Sequence, residues 1–212
     1  MSNFIEVKAN VLSIGKRKLI SGHGINDADY QVQPRINGKK SMCPYYQKWA
    51  SMIERCYSDK IKAKYPTYIG ATVCKEWLTF SVFKEWMGRQ EWEGKELDKD
   101  IIKPGNKHYS PYTCCFVPKL LNSLLCDSRA VRGDLPQGVC LDKERGKYLA
   151  QCSYKGKRNA LGRYKTVNAA SLRYRLFKSQ LIRATAEEQE DERVKAGLIK
   201  HAKIILYNGE TV

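Results

Sequence analysis

The sequence predicts an α+β protein. An aromatic-rich domain of helices with a ββα unit comes first, a three-stranded antiparallel sheet packed on a helix follows, and an amphipathic helix comes last. Three observations support this prediction. Apolar side chains recur at helical spacing between residues 45 and 87. Three short strand-like segments, separated by glycine-containing turns, lie between residues 138 and 164. Helical spacing of apolar residues returns after residue 166.

Size and composition suit one or two globular domains. The chain has 212 residues, of which 42% are hydrophobic. No apolar run is longer than four residues, whereas a membrane-spanning helix needs about 20. The first ten residues contain Glu6 and Lys8 and no apolar stretch, so we expect no signal peptide. These features predict a cytoplasmic protein.

Changes in composition divide the chain into four segments. Residues Phe4 to Ile14 alternate enough to predict a strand. The glycine-rich stretch from Gly15 to Lys40 predicts an extended arm that wraps the next domain. The polar stretch Ser128 to Leu135 is the predicted linker between the two main domains. The predicted segments are the strand and arm at 1–40, an α+β domain at 41–127, a sheet-and-helix domain at 128–183, and a helical segment at 184–212.

The second segment contains all four tryptophans, at positions 49, 77, 86 and 92. Tyr45, Trp49 and Cys56 have helical spacing, and the same pattern returns between residues 73 and 87. We interpret the aromatic residues as a core. Further on, a short strand near Leu97, a Pro-Gly-Asn turn, a strand from Cys114 to Val117 and a helix after Pro118 predict a ββα unit.

The third segment contains three predicted strands and a helix. The strands are Gly138 to Asp142, Lys147 to Ser153 and Arg158 to Tyr164. Thr166 is a suitable N-cap for the helix that follows. In the second strand, Tyr148, Ala150 and Cys152 would face this helix, because side chains alternate between faces. The last segment opens with an acidic run and predicts an amphipathic helix with an apolar face of Val194, Leu198, Ile199, Ala202 and Ile205.

Positive charge is concentrated in the third segment. The whole chain has a net charge of +16, and residues 128–183, with 14 basic and 3 acidic side chains, contribute +11 of it. A compact domain this basic favours a polyanionic partner, and nucleic acid is the simplest one. An anionic membrane fits less well, because the segment is not one amphipathic helix.

The eight cysteines form no CxxC pair, so no zinc ribbon is expected. We interpret most of them as small buried apolar residues. The alternative is one metal site, for Mg²⁺ or Zn²⁺, whose ligands converge through folding. Its candidate ligands are Cys56, Cys74, His108, Cys114 and Cys115.

Residues 136–178 resemble the AP2/ERF type of DNA-binding domain. The resemblance lies in Gly138-Val139, Gly146-Lys147-Tyr148, Leu161-Gly162-Arg163-Tyr164, and Thr166 followed by Ala169-Ala170. It implies a three-stranded sheet in the major groove of double-stranded DNA, backed by a helix. Cys140 and Ala160 replace the arginine and tryptophan of the plant pattern. The residues expected to contact DNA are Lys143, Arg145, Lys147, Gln151, Ser153, Lys155, Arg158 and Arg163.

Residues 97–122 look like the ββα unit of HNH nucleases without its catalytic histidine. Where that family has an Asp-His pair, this chain has Asp98-Lys99, and Asn122 matches the helix position. His108 is the nearest imidazole. The histidine of the family deprotonates water, and a charged lysine cannot replace it. The resemblance makes Asp98, Lys99, His108 and Asn122 the candidate catalytic residues of a degenerate site.

The arrangement as a whole resembles small bacteriophage proteins that join an HNH-like unit to an AP2-like unit. Arg55-Cys56-Tyr57 and Leu97-Asp98-Lys99-Asp100 carry this resemblance. Three hypotheses follow. The first is a phage-type DNA-binding protein with an inactive HNH-like unit. The second is an active, metal-dependent HNH endonuclease of the homing type. The third is a protein that binds a host or phage protein through its N-terminal arm or C-terminal helix.

Overall fold

The computed structural model describes residues 4–126 and 134–207. They form two compact units. The first unit comprises the described residues up to Asp100 together with Gly105–Val117, and the second comprises Ile101–Pro104 and the described residues from Pro118 onward. The protein is of the mixed α+β class, as predicted. Among the residues described, no helix combines the length and apolarity needed to cross a membrane.

The predicted N-terminal strand is wrong. Lys8 makes only an isolated bridge with Tyr30, and Val11–Gly15 forms a short helix, α1. The helix forms because the Asn10 carboxamide oxygen accepts a hydrogen bond from the Ser13 backbone N–H at 2.8 Å, while the Asn10 backbone N–H donates to the Ser13 hydroxyl at 2.9 Å. This capping box overrides the weak alternation. Helix α1 buries no side chain.

The arm after α1 belongs to the first unit. It contains the short antiparallel strands β1 (Arg35–Ile36) and β2 (Lys39–Lys40). Tyr30 is only 4% exposed and joins the core of the first unit. The Ser81 backbone N–H donates to the Asp27 carboxylate at 2.9 Å. The arm therefore wraps the following elements, as predicted, and is no separate segment. The prediction that it binds a partner protein stays a prediction.

The aromatic residues form the core of the first unit, as predicted. Trp49 and Trp77 are almost fully buried, and the Trp49 indole N–H donates to the Trp77 carbonyl at 2.7 Å. Burial of each such side chain contributes about 2–3 kcal/mol. The elements that carry this core are α2 (Pro44–Tyr57), α3 (Asp59–Lys64), β3 (Thr72–Val73) and α4 (Phe80–Gly88), with single 3₁₀ turns at Pro66–Tyr68 and Glu76–Leu78.

The predicted ββα order is present, but its helix belongs to the other unit. Strand β4 (Lys95–Asp98) pairs with β6 (Cys115–Pro118), and β5 (His108–Tyr109) pairs with β3 in parallel. Helix α5 (Lys119–Leu125) follows with Pro118 as its N-cap residue and belongs to the second unit. The expected domain boundary at residue 127 therefore differs from the boundary observed at Val117. Most of the predicted linker lies outside the described residues.

The second unit confirms the predicted sheet and helix. Strands β7 (Val139–Asp142), β8 (Lys147–Tyr154) and β9 (Lys157–Tyr164) form an antiparallel sheet in that order. Helix α6 (Val167–Glu187) begins after Thr166, whose hydroxyl accepts a hydrogen bond from the Ala169 backbone N–H at 3.2 Å. This helix packs against the sheet.

The C-terminal segment forms helix α7 (Glu192–Tyr207), which packs against α6. Val194, Leu198 and Ala202 are buried, as the predicted apolar face requires. That face was one of the two features that suggested a protein partner. In this structure it packs within the second unit itself.

Gly138 is required by the close approach of α6 to the sheet. Its φ is +76°, and a Cβ atom there would lie 2.0 Å from the Tyr174 ring. Gly138→Ala should therefore destabilise the second unit by about 3 kcal/mol. Gly146→Ala is the matched control, because Gly146 has a φ of +59° and nothing within 4 Å of its Cβ position. It should cost about 1 kcal/mol.

Urea unfolding followed by far-ultraviolet circular dichroism measures both variants. All four tryptophans lie in the first unit, so tryptophan fluorescence separates its unfolding from that of the second unit. Equal losses for the two variants would show that the contact with Tyr174 contributes nothing.

Candidate nucleic-acid interface

One face of the sheet forms the core with α6. Val139 pairs with Ala150 across β7 and β8, and directly paired residues share a face. Both side chains pack with Ala170 of α6 in a buried cluster. Cys152 is also buried, and Tyr148 packs against the cluster. The predicted helix-facing residues of β8 are therefore confirmed.

The opposite face of the sheet is open. Leu149 pairs with Cys140 on one side and with Arg163 on the other, so these three residues share that face. Ser153 pairs with Arg158 in the same way. Lys147, Arg158 and Arg163 are exposed. Alternation and register place these residues on the open face: Cys140, Asp142, Lys147, Leu149, Gln151, Ser153, Arg158, Ala160 and Arg163.

A β-bulge puts both arginines of β9 on this face. Ala150 pairs with Gly162, but the next residue, Gln151, pairs with Ala160, which leaves Leu161 as an extra residue. Leu161 packs against the α6-facing cluster. Arg158 and Arg163 are five positions apart and would point to opposite faces of a regular strand. The extra residue restores them to the same face, and nothing in the sequence analysis predicted this.

Two turns add cations at opposite ends of the sheet. In the turn between β8 and β9, Lys155 and Gly156 have φ values of +50° and +74°, which is typical of a type I′ hairpin turn. The turn between β7 and β8 lies at the other end. The exposed cations in and beside these turns are Lys143, Arg145, Lys155 and Lys157.

Asp142 is a residue of this face that the sequence analysis did not select. Its carboxylate accepts a hydrogen bond from the Arg163 Nε–H at 2.7 Å and lies 3.4 Å from Arg145 Nη1. The hydrogen bond from Arg163 and the nearby Arg145 lower the pKa of Asp142 below its usual value. Asp142 therefore stays ionised between the two arginines.

The HNH-like residues are used for structure. The Asp98 carboxylate accepts a hydrogen bond from the Asp100 backbone N–H at 2.8 Å. The Lys99 ammonium lies 3.2 Å from the Asp100 carboxylate and 5.9 Å from the centre of the Tyr109 ring, and only 12% of the Lys99 side chain is exposed. An ammonium has no lone pair to accept a proton. Lys99 is therefore an ion-pair partner of Asp100.

His108 lies on β5, two residues after Asn106 of the Pro-Gly-Asn turn. Its Nδ1 atom is 2.9 Å from the Thr72 hydroxyl. The side chain is exposed and lines a cleft of about 630 Å³ with Cys74, Glu76 and Tyr112. Neither Asp98 nor Lys99 lines this cleft. The fourth candidate, Asn122, lies on α5 in the second unit, whereas the other three lie in the first.

The cysteines do not assemble into the predicted metal site. Within residues 4–126 and 134–207, no three His, Cys, Asp or Glu side chains are grouped so that they could hold a metal ion. Cys56, Cys114 and Cys115 are buried. Burial raises the pKa of Cys56 and of Cys114 to about 12. Cys74 is half-buried, and its thiol hydrogen-bonds the Glu76 carboxylate. The interpretation of most cysteines as packing residues fits these positions.

A comparison of the chain with protein-family models, curated proteins and solved structures returns no match. The grounds for a functional proposal are therefore the register of the sheet, its open face and its charges.

The burial of the thiols predicts their order of reaction. In the folded protein near pH 8, iodoacetamide should modify the exposed Cys126 long before Cys56 or Cys114, because a thiol with a pKa of about 12 is almost entirely protonated there. Peptide mass spectrometry over time measures this. In urea, Cys126, Cys56 and Cys114 should react at similar rates, because unfolding exposes all three thiols. Rapid modification of Cys56 or Cys114 in the folded protein would contradict the structure.

Proposed function

We propose that this protein binds double-stranded DNA through the open face of strands β7, β8 and β9. The single observation that carries the proposal is this face itself. A three-stranded sheet is covered by α6 on one side and presents Lys147, Arg158 and Arg163 on the other. The segment 128–183 has a net charge of +11, which favours a polyanion as the partner.

Duplex DNA suits the shape of this face. The major groove of DNA is about 12 Å wide and admits a β-ribbon, whereas the major groove of RNA is too narrow for one. Lysines in the end turns would contact phosphates and set the orientation. Arg158 and Gln151 would contact base edges, because arginine forks onto guanine and glutamine onto adenine. The resemblance of residues 136–178 to AP2/ERF domains agrees with this arrangement.

The HNH-like part is proposed to be inactive. The Lys99 ammonium is ion-paired with Asp100, and His108 is hydrogen-bonded to Thr72 beside a cleft that Asp98 does not line. We therefore propose a phage-type DNA-binding protein with a degenerate nuclease-like unit rather than an HNH endonuclease, and its phage character rests on the sequence resemblance alone.

Binding is tested by titrating the full-length protein into a labelled duplex of about 25 base pairs, followed by fluorescence anisotropy. If the face makes about six phosphate contacts, the slope of log K against log salt concentration should be about −5. Arg158→Ala should weaken binding by about 1–3 kcal/mol, because it removes a predicted base contact.

Arg173→Ala is the matched control. Arg173 is an exposed arginine on α6, the helix that covers the other face of the sheet, and its loss changes the net charge equally. It should have a much smaller effect than Arg158→Ala. No binding at low salt, or equal effects of the two variants, would contradict the proposed interface.

Cleavage is tested with supercoiled plasmid in Mg²⁺, Mn²⁺ or Zn²⁺. The wild-type protein should neither nick nor cut it, because the ammonium at position 99 cannot act as a base. Lys99→His, which returns an imidazole to this position, should nick weakly. Metal-dependent nicking by the wild type that Asp98→Ala abolishes would make the endonuclease hypothesis the better one.

A further inference from the structure

A carboxylate stands among the cations of the open face. Asp142 is the last residue of β7 and pairs with Lys147. A negative charge here opposes binding to phosphates. However, only 12% of the Asp142 side chain is exposed, whereas the side chains of Arg145 and Arg163 beside it are 56% and 44% exposed. The carboxylate is therefore mostly covered, and it contacts both guanidinium groups.

The contact with Arg163 spans the sheet. Asp142 is on the edge strand β7 and Arg163 on the edge strand β9, with β8 between them. Asp142 pairs with Lys147 of β8, and Arg163 pairs with Leu149, which lies two residues further along the same strand. The Arg163 Nε–H donates to Asp142 Oδ2 at 2.7 Å. A long side chain from one edge strand is thus fixed by a carboxylate on the other.

The way in which Arg163 is held determines what it can still bind. Donation from Nε leaves the pair of Nη groups at the end of the guanidinium for a second partner. A guanidinium presents its donors as a rigid planar fork, and the O6 and N7 atoms of guanine match two such donors. Fixing the side chain in advance also reduces the conformational entropy lost on binding.

We infer that Asp142 is a positioning residue that holds Arg163 to recognise a guanine in the major groove. This inference rests on the proposed DNA binding and names one base that the face distinguishes. Arg145, whose backbone N–H lies 3.3 Å from Asp142 Oδ1, is held by the same carboxylate at the end of the sheet.

The effect of Asp142 on specificity and its effect on affinity have opposite signs. Removal of a negative charge should strengthen binding to duplexes that lack the guanine, because the face becomes more positive. Loss of the bond to Arg163 should weaken the preference for guanine at one position. A residue that only contributes charge, or only stabilises the fold, would not produce this combination.

Glu144 provides the matched control. It lies in the same turn, its side chain is 88% exposed, and it is 3.7 Å from Arg145. Arg163, in contrast, forms its ion pair with Asp142, at 2.7 Å. Glu144→Ala and Asp142→Ala change the net charge equally, so the two variants differ in whether the bond to Arg163 is removed.

The experiment selects sites from a duplex library with a random centre, using the full-length protein. We then measure the affinity for the selected site. The same measurement is made on three further duplexes, in which each of the other bases replaces the guanine. The wild type should prefer guanine by about tenfold or more. Asp142→Ala and Arg163→Ala should each reduce this preference to about twofold or less. The double variant should lose no more than either single variant, because the two residues act as one unit.

Glu144→Ala should keep the preference, while its affinity for duplexes that lack the guanine rises about as much as that of Asp142→Ala. Circular dichroism of each variant is the control for folding. An unchanged preference in Asp142→Ala, or a wild type without any guanine preference, overturns the inference and leaves the proposed DNA binding standing. A wild type that binds no duplex overturns both.

Discussion

Close packing of α6 on the three-stranded sheet is the constraint on which the second unit depends. Ala150 and Ala170 are fully buried at this contact, and the ring of Tyr174 occupies the space where a Cβ of Gly138 would lie. Larger side chains would hold the helix away from the sheet, since protein interiors have no room for extra atoms. Because this contact buries one face of the sheet in the core, most of the charged residues of the strands lie on the opposite, open face.

The composition of the open face depends on one extra residue in β9. Because Leu161 is an extra residue in β9, the alternation of side chains between the two faces of the sheet is shifted by one residue across the bulge. The apolar Leu161 joins the core, and Arg158 and Arg163 share the solvent side. In a strand without the bulge, one of these arginines would have to lie under α6. The positive charge of the face thus follows from a local irregularity of pairing as much as from composition.

The charges of the two units have different roles. On the open face, Asp142 holds Arg163 and Arg145 while both guanidinium groups stay partly exposed. In the first unit, the carboxylate of Asp100 pairs with a lysine whose side chain is almost fully covered, and the carboxylate of Asp98 accepts a backbone hydrogen bond. Partly exposed arginines are available to a ligand, and a covered lysine is not. This difference is why DNA binding is proposed for the sheet and catalysis is not proposed for the HNH-like residues.

The sequence by itself determined the elements whose signals are local. Thr166 caps α6 through its own hydroxyl, the alternation in β8 placed Ala150 and Cys152 inside, and the spacing of Trp49 and its neighbours marked the aromatic core. The strand predicted at residues 4–14 was wrong because the hydrogen bonds between Asn10 and Ser13 stabilise a helical turn.

Only the tertiary structure decided which distant residues meet. In the structure, α5 belongs to the second unit, His108 is hydrogen-bonded to Thr72, and Arg163 donates a hydrogen bond to Asp142. His108 and Thr72 are 36 positions apart in the sequence, and Asp142 and Arg163 are 21 positions apart. The pattern of one sequence records which face of a helix or strand a residue occupies, since that periodicity is local. It does not record strand register or bulges, which depend on how separate segments pair, and the contacts of this site depend on both.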